Sequence, residues 1–372
     1  MKRCQMPLPR LLEQMNRRRF IQAGVAMAGF GPTMAQAAPD SRMHVIDMAN
    51  APFFDRDDVV RGLDAGNACT RPNHAFLEGL VNSGVDTVLR YYSDQNNAGL
   101  TCKNVTRRER DLLHDHGLAL AIVYQFEGHA KNRYTGQRAT QDGAFCLERA
   151  RVIGQPEQST IYFGVDSDRG ANTDQGVLDY FREIRRVFGG RFNVGIYAAG
   201  VRCELIRKAG LAKYFWVPEA PAWAGTRDFM NSGKWTVFQN KTNINNSRIT
   251  AGMDPVLHID TDIINPATTD TIGAFLRDGT LRRYDPARLH AIADARHWVT
   301  TGKLEVFDEP DGSVAGHICI ARTVHVLEAG GEWAWVDTDE DGIADGYCRQ
   351  SALSPLSNMP KWRRTGCKML DI

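Results

Sequence analysis

The sequence predicts an α/β fold, a degenerate (β/α) barrel of the triosephosphate-isomerase type followed by a small all-β domain. Three observations carry the prediction. Apolar strand-like runs alternate with amphipathic helical runs from Val59 to about Trp223, without return hairpins, which implies parallel strands. The run Leu118–Glu127 is almost wholly apolar, as expected of a strand covered on both faces. Beyond Gly302 the rhythm changes to short alternating runs divided by Pro310-Asp311-Gly312 and Gly330-Gly331, the pattern of antiparallel strands. A flavodoxin-like open sheet is the alternative for the first part. At 372 residues the chain is long enough for a barrel of about 250 residues plus a smaller domain.

Taken in order, residues 1–38 read as an export signal. Arg17, Arg18, Arg19 and Phe20 precede a weakly apolar, glycine-containing run too short to anchor in a bilayer, and Met34–Ala38 offers small residues for a peptidase. This resembles a twin-arginine signal, with a basic amphipathic helix as the alternative. Residues 39–58 are a lead-in, 59–280 the barrel, 281–301 a linker or closing helix, 302–350 the β domain and 351–372 a tail.

Within the barrel the expected strands are Val59–Asp64, Val85–Ser93, Leu118–Glu127, Ser159–Asp168, Phe192–Gly200, one from Tyr214, Trp235–Asn240 and Pro255–Ile264. The expected helices follow Pro72, which suits a first turn, and Thr106, whose spacing to Glu109 fits a capping box. Others span Thr140–Ile153, ended by Gly154, Gln175–Phe188 and Val201–Ala209. The late helices are reduced.

In a parallel barrel the carboxyl ends of the strands share one mouth. That places Asp64, Asp166, Asp168, Glu219, Asp260 and Asp262 together, beside Arg90, Tyr91, Tyr92, Gln125, Glu127, Tyr197, Trp216, Trp223 and Gln239. An acidic floor with aromatic walls suits a carbohydrate, because sugar C–H faces stack on rings and hydroxyls bond to carboxylates and amides. Substrate contacts are expected from Arg90, Tyr92, Gln125, Tyr197, Trp216, Glu219 and Gln239. For Asp166 and Asp168, two residues apart at a strand end, the other reading is a strand cap bonded to backbone N–H groups.

These residues carry a family resemblance. Gly62-Leu63-Asp64, Arg90-Tyr91-Tyr92, Ile161–Asp168, Gly195-Ile196-Tyr197 and Ile259-Asp260 resemble the Rv2525c-like glycoside-hydrolase-like family, first catalogued as a domain of unknown function. That family is similar in turn to the lysozymes of glycoside hydrolase family 25. The resemblance implies catalytic roles for Asp64, Asp166, Asp168 and Asp260, with Asp168 at the proton donor's position, where the lysozymes carry glutamate. Aspartate is one methylene shorter and ordinarily more acidic. The implied partner is peptidoglycan or another envelope polysaccharide. The alternative is a sugar-binding or envelope-structural protein using the same cleft without catalysis.

A net charge of +1 provides no field that would gather nucleic acid or anionic lipid. The 8 cysteines occur singly, which suits spaced disulfides in an exported protein. Cys69 with Cys102 could brace the rim, Cys146 could pair with Cys203, and Cys319 with Cys348 would staple the β domain. No cofactor is expected, and no histidine-cysteine spacing implies a metal. Asp337, Asp339, Asp341, Gly342 and Asp345 have calcium-loop spacing, but Cys348 stands where an EF-hand needs glutamate. An acidic solvated hairpin is the other reading. The C-terminal β domain resembles bacterial SH3-like modules.

Overall fold

The computed structural model describes residues 44–48, 74–82, 84–93, 103–126, 130, 132–168, 172–244, 259–265, 267–285, 296–300, 302–319, 322–338 and 344–359. The chain divides into two compact units, one covering 43–81 and 85–293, the other including 294–372.

The first unit is a closed barrel of eight strands in sequence order. They are β1 (His44–Met48), β2 (Val85–Tyr92), β3 (Ala119–Tyr124), β4 (Thr160–Val165), β5 (Asn193–Ala198), β6 (Tyr214–Val217), β7 (Val237–Ile244) and β8 (Ile259–Ile264). Helices α1 (His74–Asn82), α2 (Arg107–Asp115), α3 (Gly136–Ile153), α4 (Asp174–Phe188), α5 (Gly200–Lys208) and α6 (Thr226–Asn231) alternate with them. The side chain of Thr106 caps α2 by accepting from Glu109 N, and Gly154 ends α3 with φ of 70°, a left-handed cap that glycine adopts without strain.

Two expectations need correction. The first strand is His44–Met48, inside the segment read as a lead-in, so the aspartate of strand one is Asp47; Asp64 lies outside the described residues. The barrel is also not wholly parallel. Strands β1 to β7 run parallel, but β8 is antiparallel to both β7 and β1. Asp260 therefore stands at the start of its strand and Asp262 in its middle, and it is the reversal that brings Asp260 to the mouth.

The two-residue strand period sorts every side chain. On β2, Leu89 and Tyr91 enter the barrel core with Val45, Ala121, Val123, Tyr162, Tyr214, Trp216, Val237 and Ile264. A Cβ on Gly195 would fall inside van der Waals distance of the Tyr162 ring, so glycine there lets that tyrosine occupy the interior. The segment after β8 seals the amino-terminal end of the barrel. Leu120 and Phe275 exchange backbone hydrogen bonds of 3.0 and 2.9 Å, Tyr162 donates to Ile272 O at 2.9 Å, and the hydroxyls of Tyr284 and Thr87 lie 2.7 Å apart. Residues 272–276 form this floor with isolated bridges.

The second unit is a seven-stranded antiparallel sheet in the order β11-β10-β14-β13-β12-β9-β15. Its strands are β9 (Arg296–Val299), β10 (Lys303–Phe307), β11 (Val314–Cys319), β12 (Thr323–Gly330), β13 (Trp333–Asp337), β14 (Gly346–Arg349) and β15 (Leu353–Pro355). The sheet thus begins within the expected linker and continues into the expected tail. Its core holds Leu304, Val306, Ile318, Val324, Val326, Val336 and Cys348. Cys348 is a free, buried thiol, and β10 separates its strand from that of Cys319, so the expected staple is not formed. Cys146 and Cys203 are likewise free and buried, while Cys69 and Cys102 lie outside the described residues. Residues 1–38 and most of the calcium-like loop, 339–343, also lie outside them.

Candidate functional site

The carboxyl ends of the parallel strands and the start of β8 enclose a cavity of about 220 Å³. It is lined by Asp47, Tyr91, Lys103, Val123, Gln125, Asp166, Tyr197, Trp216, Gln239 and Asp260. Each lining strand contributes the inward row of its alternation. Gly164 keeps space beneath Gln125, since a Cβ there would stand 3.2 Å from Gln125 Cγ.

The polar groups are linked in two chains. On one side Lys103 Nζ donates to Gln125 Oε1 at 3.0 Å, and Gln125 Nε2 donates to Asp166 Oδ2 at 3.1 Å. On the other, Tyr197 donates to Gln239 Oε1 at 3.0 Å and Gln239 Nε2 to Asp260 Oδ2 at 2.8 Å. The Tyr197 and Trp216 rings pack with centroids 4.5 Å apart, and Trp216 Nε1 donates to Asp262 Oδ1 at 2.6 Å below the cavity.

Asp47 and Asp260 are directly opposite in the antiparallel β1–β8 register. Like charges so placed repel, which favours holding a proton between them. Asp47 is 4% exposed; its Oδ2 accepts from Tyr91 at 2.7 Å and its buried Oδ1 has no hydrogen-bond partner among the described residues. Burial first, and the Asp260 charge second, push its pKa up to about 8, against the opposing effects of Tyr91, Lys103 and Arg90. Asp262 is raised well above the ordinary carboxylate range by burial and by the charges of Asp47 and Asp260. The pair at the mouth can therefore retain a proton at neutral pH, a condition for general acid chemistry.

Asp166, Asp260, Gln125, Tyr197, Trp216 and Gln239 meet at the cavity as the sequence suggests. Other expected members stand elsewhere. Arg90 and Tyr92 have the outward parity of β2: Arg90 is buried in an ion pair with Glu109 and donates to Met48 O, while Tyr92 donates to Gln155 Oε1 at 2.7 Å. Strand β4 ends at Val165 and a turn closes from Ser167 N to Val165 O, so Asp168 does not continue the row. It is exposed, and its Oδ1 accepts from Ala224 N at 2.9 Å. Glu219 is exposed and accepts from the Thr242 hydroxyl at 3.2 Å. Glu127 lies outside the described residues.

Asp47, Lys103 and Val123 are lining residues that the sequence reading did not assign. For Asp47 a signal existed in the short run His44-Val45-Ile46-Asp47-Met48. Lys103 belongs to no periodic element, and nothing in its neighbourhood marks it.

Residues 78–264 match the family described as Rv2525c-like, glycoside hydrolase-like domain. The chain belongs to this family. Two Bacillus subtilis relatives of this Rv2525c-like chain are the uncharacterized proteins YbfG and FadG. YbfG is 27% identical over 194 residues, 49% of this chain and 26% of that protein, and FadG is 27% identical over 140 residues, 36% and 24%. The chain thus spans about a quarter of the length of these curated relatives. Among solved structures it is similar to the Mycobacterium tuberculosis Tat-secreted protein Rv2525c in complex with L-tartrate, with a TM-score of 0.45 and 17% identity over 60% of this chain and 95% of that one. It is also similar to GHIP, a glycosyl hydrolase 25 of Streptococcus pneumoniae, with a TM-score of 0.35 and 13% identity over 61% and 89%.

Proposed function

We propose that the barrel mouth binds a cell-envelope glycan and hydrolyses a glycosidic bond in it. The observation that carries this reading is the register pair Asp47–Asp260, two carboxylates held opposite each other at the edge of a cavity that also presents Asp166, amides and aromatic rings. In this reading the pair holds one proton and the half-buried Asp260 delivers it to the leaving oxygen, since Asp47 is the deeper member. Asp166, held by Gln125, faces the positive charge that develops in an oxocarbenium-like transition state. Gln125 and Gln239 bond to sugar hydroxyls, and Tyr197 and Trp216 offer ring surface to a sugar face. The role earlier assigned to Asp168 passes to the pair, because Asp168 is engaged outside the cavity with the Ala224 amide.

Export of the chain is part of the proposal. It is supported by the arginine-phenylalanine run near the N-terminus, and the similar protein Rv2525c is described as Tat-secreted. The small β unit then serves as an SH3-like module that keeps the barrel near the wall. No helix among the described residues is long and apolar enough to cross a membrane.

A second reading, sugar binding without cleavage, is favoured by one observation: the same cavity holds a buried lysine within electrostatic range of Asp47 and Asp166. Incubation of purified peptidoglycan with the protein separates the readings. New reducing ends in the soluble fraction support hydrolysis, association without them supports binding alone, and free amino groups instead would point to amide cleavage and against both.

A further inference from the structure

Lys103 is the cationic side chain among the ten residues that line the cavity, and it is only 7% exposed. An ammonium group carries three N–H donors. Among the described residues its direct partners are a neutral carbonyl, Gln125 Oε1 at 3.0 Å, and the face of Tyr91, whose centroid is 4.6 Å from Nζ. Burial lowers its pKa and the charge of Arg90 adds to this, while Asp47 and Asp166 favour the ammonium form through space. A buried cation that has spent one donor on a neutral acceptor retains hydrogen-bonding capacity toward whatever enters the cavity, and a charged acceptor would satisfy both the donors and the charge.

The geometry points to Lys103 as a specificity determinant that recognises a carboxylate substituent on the bound saccharide. A dianion would be repelled more strongly than a monoanion here, because the Asp47–Asp260 pair, holding one proton, and Asp166 share the cavity. In glycan strands built from N-acetylglucosamine and N-acetylmuramic acid, the lactyl carboxylate is free only where no peptide is attached. The cavity therefore selects peptide-free strands, and the reaction that supplies its substrate is hydrolysis of the amide that joins peptide to lactyl group. This inference rests on the glycan reading of the site.

The test is calorimetric titration of the whole protein with peptide-free oligosaccharides of this repeat, and with the same oligosaccharides after reduction of the carboxylates to alcohols. Wild type should bind the acidic form at least about 10-fold more tightly, the range expected for a charge-assisted hydrogen bond. Lys103→Gln should bind both forms with the same weak affinity, and Lys103→Arg should retain part of the preference. Equal binding of both forms by wild type overturns the Lys103 assignment and leaves the glycan reading standing. A preference that persists in Lys103→Gln also overturns it. Binding of neither form by wild type overturns both. The wild-type comparison decides the question even if a variant fails to fold.

Discussion

At the floor of the barrel the buried Asp86 accepts from Thr87 Oγ1 at 2.7 Å and forms a two-pronged ion pair with Arg282. At the mouth Asp47, almost as deeply buried, receives one phenolic donor, has an Oδ1 without a partner among the described residues and faces another carboxylate across the sheet. A third buried acid, Asp142 outside the strands, resembles the floor: Tyr124, Tyr180, Arg133 and Arg138 all converge on it. Burial alone therefore does not separate Asp47 from Asp86 and Asp142. What sets Asp47 apart from Asp86 and Asp142 is incomplete compensation, which favours the protonated carboxyl in the folded state.

The largest effect is expected at the mouth, where Asp260→Asn should lower release of reducing ends by about 10²- to 10⁴-fold through loss of general acid catalysis. Circular dichroism should show an intact fold, and an unchanged rate would remove Asp260 from the chemistry. At the floor, Arg282→Met leaves Asp86 buried without its cation and should cost about 3–5 kcal/mol in urea unfolding. A loss confined to activity would contradict the structural role assigned to that pair.

Asp47→Asn sharpens the contrast through pH. The carboxyl moves from an ordinary value of 3.8 to about 8 on folding, so between these limits the folded state binds more protons than the unfolded one. Wild-type stability should then decline as pH rises through this window, by at most about 1.4 kcal/mol per pH unit from this group. Asparagine removes that slope, so its stability relative to wild type should grow from pH 4 to pH 8 and level off above. Thermal unfolding across this range measures it, and parallel curves for the two proteins would show that Asp47 is not held protonated. In wild type the cleavage rate should fall as pH rises through about 8. The smallest change is expected for Asp168→Asn, whose amide oxygen can still accept from Ala224 N; cleavage should stay within about 2-fold of wild type. A loss of the size predicted for Asp260→Asn would return the donor's role to Asp168.

Much of the barrel is legible in the sequence because its strands and helices have clear periods. The apolar run through β3, the alternation of β4 and the glycine-ended helices all identify their elements. Strand direction is not written in that pattern: Asp260 and Asp262 look alike whether their strand runs toward the mouth or away from it. Parity is equally obscure where polar and aromatic residues adjoin, so Arg90-Tyr91-Tyr92 does not reveal which member enters the barrel. The opposite register of β1 and β8 supplies what the local sequence lacks. Asp168 leaves the inward row for a different reason, since the two-residue rule holds only while the strand lasts, and β4 ends three residues earlier. The position of Lys103 depends on tertiary packing alone.

The reversed eighth strand has a consequence for the order of folding. Synthesis delivers β1 first and β8 last, and the barrel keeps two unpaired edges until β8 hydrogen-bonds to both β1 and β7. Contacts between such distant parts of the chain are slow to form. Because the reversed strand leaves at the amino-terminal end, the floor segment can seat only after that closure. The facing pair Asp47–Asp260 arises in the same event, so an incompletely folded or truncated barrel cannot present the assembled acid pair.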